Sequence, residues 1–262
     1  MKKIITLAGD LGSGKSTVSK ILIEKLDFEY VYTGAIQRNI AERLGMTTTE
    51  LNIYSETHPE IDNEIDSIFK SLTNENNLIV DSRLAWFFLP NSFKIFLKCN
   101  TKISVDRIFS DEKRNKEIYR NKEEALFNII ERKTSEVRRY LEYYDADISD
   151  MLNFDFIIDT SFITPQDVVF FILENFKLWT ENKFTKKVLI SPLNLYPTKT
   201  VENINTESES DNIRVVNFNF LDYVITGHKK VKNAINNNEK LIEIEYLSNK
   251  NWKEKLEFNY LW

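Results

Sequence analysis

The octapeptide Gly9-Asp10-Leu11-Gly12-Ser13-Gly14-Lys15-Ser16 constrains this chain more than any other stretch. It fits G-x-x-x-x-G-K-[ST], and its flanks fit as well. The apolar run Ile4–Ala8 leads in, and Val18, Ile21, Leu22 and Leu26 follow at helical spacing. A strand, a glycine turn and a helix make an anion cradle. Glycines let consecutive N–H groups point inward, and the helix start adds positive potential. Gly9, Asp10, Leu11, Gly12, Ser13, Gly14, Lys15, Ser16 and Thr17 are therefore the expected triphosphate loop. Lys15 is expected to reach the β- and γ-phosphates, and the Ser16 hydroxyl to complete a magnesium shell, which makes ATP and Mg2+ the expected cofactors.

What receives the phosphate is a separate question. A GTPase needs Asn-Lys-x-Asp for guanine and an Asp-x-x-Gly switch, and the chain has neither. A hydrolytic motor usually carries Asp-Glu after an apolar strand. Here "LIVDSR" ends in Asp81-Ser82-Arg83, with no glutamate to polarise water. Transfer to a bound acceptor is favoured. Asp81 is read as a positioner of magnesium-bound water, the alternative being a simple helix cap.

The acceptor side is read from arginines. Arg38 lies in "YTGAIQRNIAERLG", on a helix after the second strand candidate, and Arg83 lies just past the carboxyl end of a strand. Arg132 and Arg139 are seven residues apart in "NIIERKTSEVRRYLEYYD", on one helix face, away from the Ile130–Val137–Leu141 stripe. Singly, each is better explained as solvated or paired with Glu131, Glu136 or Glu142. Jointly, around the loop, they make an acceptor-phosphate and lid set.

Between residue 1 and about 176, short apolar runs (Ile4–Ala8, Leu78–Asp81, Phe93–Cys99, Phe154–Asp159) alternate with helical patterns, which predicts α/β architecture with a parallel sheet flanked by helices. Residues 177–186 read as a linker. Residues 187–262 read as a small α+β domain with strands at 187–190, 215–220, 222–226 and 241–247 and a polar loop at 201–212. In the last strand Ile242, Ile244 and Tyr246 share one face. Net charge is −5, with 42% apolar and 29% charged residues, so no global field recruits nucleic acid or a membrane. The N-terminal apolar run is too short for a signal peptide or membrane span, and the single cysteine, Cys99, fits a reducing compartment. A cytoplasmic protein with a small-molecule nucleotide substrate is expected. No nucleic-acid partner is expected for residues 1–176, and the question stays open for the C-terminal part. Cys99 reads as a buried thiol, and Trp86, Phe87 and Phe88 as packing.

In "AGDLGSGKSTV", "YTGAIQRNIAERLGMT", "SETHPEIDNEID", "VDSRLAWFF", "FKIFLKC" and "IIERKTSEVRRY", residues 1 to about 176 resemble the cytidylate kinase-like nucleoside monophosphate kinases. The resemblance implies ATP·Mg-dependent phosphorylation of CMP or dCMP. It also implies Arg38 and Arg83 on the acceptor phosphate, and Arg132 and Arg139 on the transferring group. Two positions depart from the family pattern, where acidic residues are usual: Ala35 after "TG", and His58 in "SETHPE". Both bear on base selection. Asp62 and Asp66 are candidates for the base. Alternatives are a kinase of another small molecule, or a nucleotide sensor whose C-terminal domain binds DNA or protein. In the C-terminal part, "DYVITGHKKVKNAI" resembles the strand–Gly–His–basic–helix element of the ParB/sulfiredoxin superfamily, which implies an anion site at Gly227, His228 and Lys229.

Overall fold

The computed structural model describes residues 3–46, 48–55, 57–110, 119–200, 203–204 and 212–248. Most of the polar loop expected at 201–212 lies outside them. Every residue of the first strand, β1 (Ile4–Gly9), is buried. A strand apolar on both faces belongs inside a parallel sheet covered by helices. After β1 come α1 (Lys15–Leu26), β2 (Glu29–Tyr32), α2 (Thr33–Arg43), α3 (Thr48–Ser55) and α4 (Pro59–Ser71). They are followed by β3 (Leu78–Asp81), α5 (Ala85–Phe88), β4 (Phe93–Lys98), α6 (Thr101–Phe109), α7 (Lys122–Tyr144), β5 (Phe156–Asp159) and α8 (Pro165–Thr180). Next are β6 (Lys187–Ile190), β7 (Leu195–Pro197), β8 (Arg214–Phe218), β9 (Leu221–Thr226), α9 (His228–Asn236), β10 (Ile242–Glu243) and β11 (Glu245–Leu247).

The large sheet runs β10-β6-β5-β4-β1-β3-β2, and only β10 is antiparallel to its neighbour. One face packs on α1 and α8 through Ile5, Leu7, Leu22, Ile95, Ile158 and Ile172. The small sheet, β11-β8-β9-β7, lies over the other face.

The expected domain boundary is corrected here. Residues 177–180 finish α8, and Lys187–Ile190 is no strand of a separate domain: it pairs in parallel with β5, Ile157 opposite Val188. The reason is burial. Val188, Leu189 and Ile190 are all buried, which a strand with one solvated face could not satisfy. Phe96, Phe154, Ile157, Val188, Val215, Val224 and Val231 share one core, so the two sheets are packed as one hydrophobic unit. The single strand expected at 241–247 is also two. Residues 242–243 pair with β6, Ile244 N–H donates to Val188 O (3.0 Å), and 245–247 pair with β8. Its face assignment stands, with Ile242, Ile244 and Tyr246 buried.

Candidate active site

The loop from Gly9 to Thr17 joins β1 to α1 at the carboxyl edge of the sheet. Gly12 has φ +71, and a Cβ there would come within 2.6 Å of Ser104 Oγ. Gly14 caps α1 at φ +82 without a side-chain hydrogen bond, beside open space. The helix start therefore faces the cleft with its positive end. Ser13 is buried, and its Oγ has no hydrogen-bond partner among the described residues. A buried donor left over in this loop is what an incoming phosphate oxygen would satisfy. Ser16 and Thr17 are exposed in the first turn of α1.

Lys15 Nζ donates to Gly9 O (3.3 Å). Burial pushes its pKa down, against the pull of Asp81. Asp81, at the end of β3, is itself pushed up by burial, with Lys15 the main opposing charge. One of its oxygens accepts from Tyr30 Oη (3.1 Å). The Ser16 hydroxyl and the Asp81 carboxylate are hard oxygen donors of the kind magnesium accepts alongside phosphate and water.

Asp10 is largely buried at the wall of the cleft. Its Oδ1 pairs with Lys133 Nζ (2.6 Å), and its Oδ2 accepts from Cys99 N–H (3.0 Å). Burial alone would raise its pKa, but Lys133 and then Lys98 outweigh burial and hold the carboxyl below its ordinary value. Cys99 is buried, and burial pushes its thiol up to about 12.

Arg83 and Arg132 converge on one carboxylate. Arg83 pairs with Glu136, and Arg132 Nε donates to Glu136 Oε1 (3.1 Å). Burial, then Arg132, lowers the Arg83 guanidinium to about 10. Arg139 lies over the Tyr140 ring (5.1 Å) and faces Asp62. Arg38 is set apart: it is exposed on α2, 5.4 Å over the ring of Tyr32, which stacks on Tyr30. Asp66 is buried and accepts from Tyr144 Oη (3.2 Å). Burial raises both Asp62 and Asp66. His58 bends back to Tyr54 O (2.8 Å) and stacks on the Tyr54 ring, while Ala35 sits in the first turn of α2.

Several residues here carry no pattern in the sequence. Glu136 reads as a solvated partner. Tyr144 on α7 meets Asp66 on α4 and feels the charge of Asp62, a match visible only once the two helices are placed side by side. Arg107 on α6 ties the loop to the end of β5 by donating to Gly12 O (3.1 Å), Thr160 O (2.7 Å) and Ser161 O (3.2 Å). One expectation for the packing is corrected: Ile130 and Leu141 on α7 are exposed at 45% and 46%, whereas Phe87 on α5, though 40% exposed, packs edge-on against Trp86, Phe88 and Tyr144. The α7 stripe is therefore only partly covered, by contacts through Ala125 and Ile129.

In the C-terminal element, Gly227 takes φ +83 at the start of α9, and Lys229 follows in the first turn. His228 does not face outward, as an anion site needs. It is wholly buried, and its Nε2 accepts from Thr198 N–H (3.2 Å), pinning β7 to α9.

The chain matches a family described as "AAA domain" over residues 5–128. It is 36% identical over 172 residues to a cytidylate kinase of Sulfolobus acidocaldarius, covering 64% of this chain and 91% of that one. It is 35% identical over 180 residues to an S-adenosylmethionine-dependent nucleotide dehydratase of Lacinutrix mariniflava, covering 68% of this chain and 36% of that one. A shikimate kinase of Bacteroides thetaiotaomicron superposes with TM-score 0.50 at 16% identity, over 68% of this chain and all of that one, which shows a shared fold. Among the described residues no helix is long and apolar enough to cross a membrane.

Proposed function

Since the chain belongs to the cytidylate kinase family over its N-terminal two thirds, and is a phosphotransferase of the nucleoside monophosphate kinase type, we propose that it moves the γ-phosphoryl group of ATP to CMP or dCMP. The observation that carries this reading is the gathering of positive charge about one cleft: Lys15 beside the loop, and Arg83 and Arg132 brought together by Glu136 from strand and helix positions far apart in sequence. A pure nucleotide sensor has no use for a second arginine seat.

In this reading Gly9–Thr17 hold the triphosphate and Lys15 bridges its outer phosphates. Arg83 takes the acceptor phosphate, joined by Arg38 once that side chain leaves the Tyr32 ring, and Arg132 and Arg139 neutralise the group in flight. Ser16 and Asp81 would hold magnesium, which when bound would supply charge neutralisation. A phosphate monoester is largely dianionic at neutral pH, so the acceptor needs no general base, and the side chains align and screen. In this reading Asp62 and Asp66 take the base.

The test is ADP formation from ATP·Mg with a panel of nucleoside monophosphates. Release that depends on CMP or dCMP supports the proposal. Dependence on a different acceptor moves it to a kinase of another small molecule, and release indifferent to every acceptor favours a sensor. Lys15→Ala is expected to abolish transfer with an unchanged circular dichroism spectrum, and near wild-type turnover in that variant would refute its role.

A further inference from the structure

A cavity of about 540 Å3, with Arg83 in its wall, lies between the phosphate loop and the small sheet; the wall also includes Gly9, Asp10, Glu136, Lys133 and Phe220. Phe220 sits at the tip of the β8–β9 hairpin, where Phe218 pairs with Leu221 and only Asn219 and Phe220 make the turn. Both have positive φ, 49° and 67°. Two such residues in a row are the mark of a type I′ turn, whose second position favours glycine. A bulky aromatic in the left-handed region is a rare and strained choice, and strain retained in a structure points toward function.

The ring has a partner. Lys133 Nζ stands 4.4 Å from the Phe220 centroid and 2.6 Å from Asp10 Oδ1. The hairpin stem is fixed as well: Asp222 Oδ2 lies 2.6 Å from Lys98 Nζ at the end of β4, both side chains nearly buried, and Asn217 Nδ2 donates to Asp222 Oδ1 (2.7 Å). A rigid arm thus runs from the small sheet to a lysine that neutralises the carboxylate of the loop's second residue. An anion there without its lysine would repel an arriving triphosphate.

We propose that Phe220 is a positioning residue for triphosphate binding: its ring holds Lys133 against Asp10, so the small sheet sets the charge of the phosphate loop. This rests on the kinase reading for its activity readout, but its binding readout does not.

The test compares wild-type full-length chain with Phe220→Gly, Phe220→Tyr, Lys133→Met and the Phe220→Gly/Lys133→Met double variant. Glycine suits the turn, so Phe220→Gly is expected to keep or raise the melting temperature. It is also expected to raise the KM for ATP·Mg about three- to tenfold, the range of a single cation–π contact, with kcat unchanged. Phe220→Tyr keeps the ring and should restore the wild-type KM. The double variant should be no weaker than Lys133→Met alone, because both changes remove the same restraint. Calorimetric affinity for the magnesium complex of a non-hydrolysable ATP analogue should follow the same order. A wild-type KM and affinity in Phe220→Gly, or a fall in melting temperature with kcat and KM disturbed alike, would overturn the proposal. A wild-type chain that makes no ADP with any acceptor, yet loses analogue affinity on Phe220→Gly, would overturn the kinase reading and leave this one standing.

Discussion

Glu136 stands between two guanidinium groups that would otherwise repel each other, Arg83 and Arg132. Removing its charge leaves the half-buried Arg83 without its carboxylate. Glu136→Gln is expected to destabilise the ligand-free protein by about 1–3 kcal/mol in urea titration. Phosphate oxygens can replace the carboxylate, so saturating ATP and acceptor should recover part of that loss; equal losses with and without ligand would show that the carboxylate and the phosphates do not share a seat. Asp10 gives a second prediction. The folded protein holds its pKa below the unfolded value, so its stabilisation is present above the ordinary carboxylate range and is lost as pH falls through the folded pKa. Asp10→Asn should therefore flatten the fall of melting temperature between about pH 5 and pH 3, and an acid limb identical to wild type would count against the Lys133 pairing.

At the scale of elements, β6 decides where the first sheet ends. Ile190 is wholly buried within the core that both sheets share, so Ile190→Ala is expected to cost about 2–5 kcal/mol by denaturant unfolding; a loss below 1 kcal/mol would mean that β6 is peripheral. This strand also shows what the sequence could reveal. β1, β3, β4 and β5 are legible because they are short apolar runs closing on polar residues, and the phosphate loop is legible because glycine spacing is local. "KVLI" has the same apolar character and follows β5 and α8 at the spacing of another crossover, yet the polar segment ahead of it resembles a linker. The convergence of Arg83 with Arg132 could be guessed from their offsets, but Glu136 as their common partner could not, because an i, i+4 pair on a helix is usually a solvated one. His228 misleads for a related reason: glycine and lysines beside it suggest exposure, whereas burial depends on Thr198, thirty residues away.

For the whole molecule, the segment from Ile242 to Leu247 is the feature with the widest reach. Within six residues it completes the edge of one sheet and, past Ile244, the edge of the other. Lys98 adds a second tie, from β4 to Asp222 and Tyr246. Neither sheet can be peeled off while its neighbour keeps all its hydrogen bonds. Tryptophan fluorescence, sensitive to Trp86 in the shared core, and far-ultraviolet circular dichroism should therefore trace coincident urea transitions, whereas two separated midpoints would reveal independent folding units. The same short thread is stitched into both hems, so a substitution that kinks the backbone at Ile244 should loosen both halves together, and a protease that cannot cut either half of the native protein would then find both open at once.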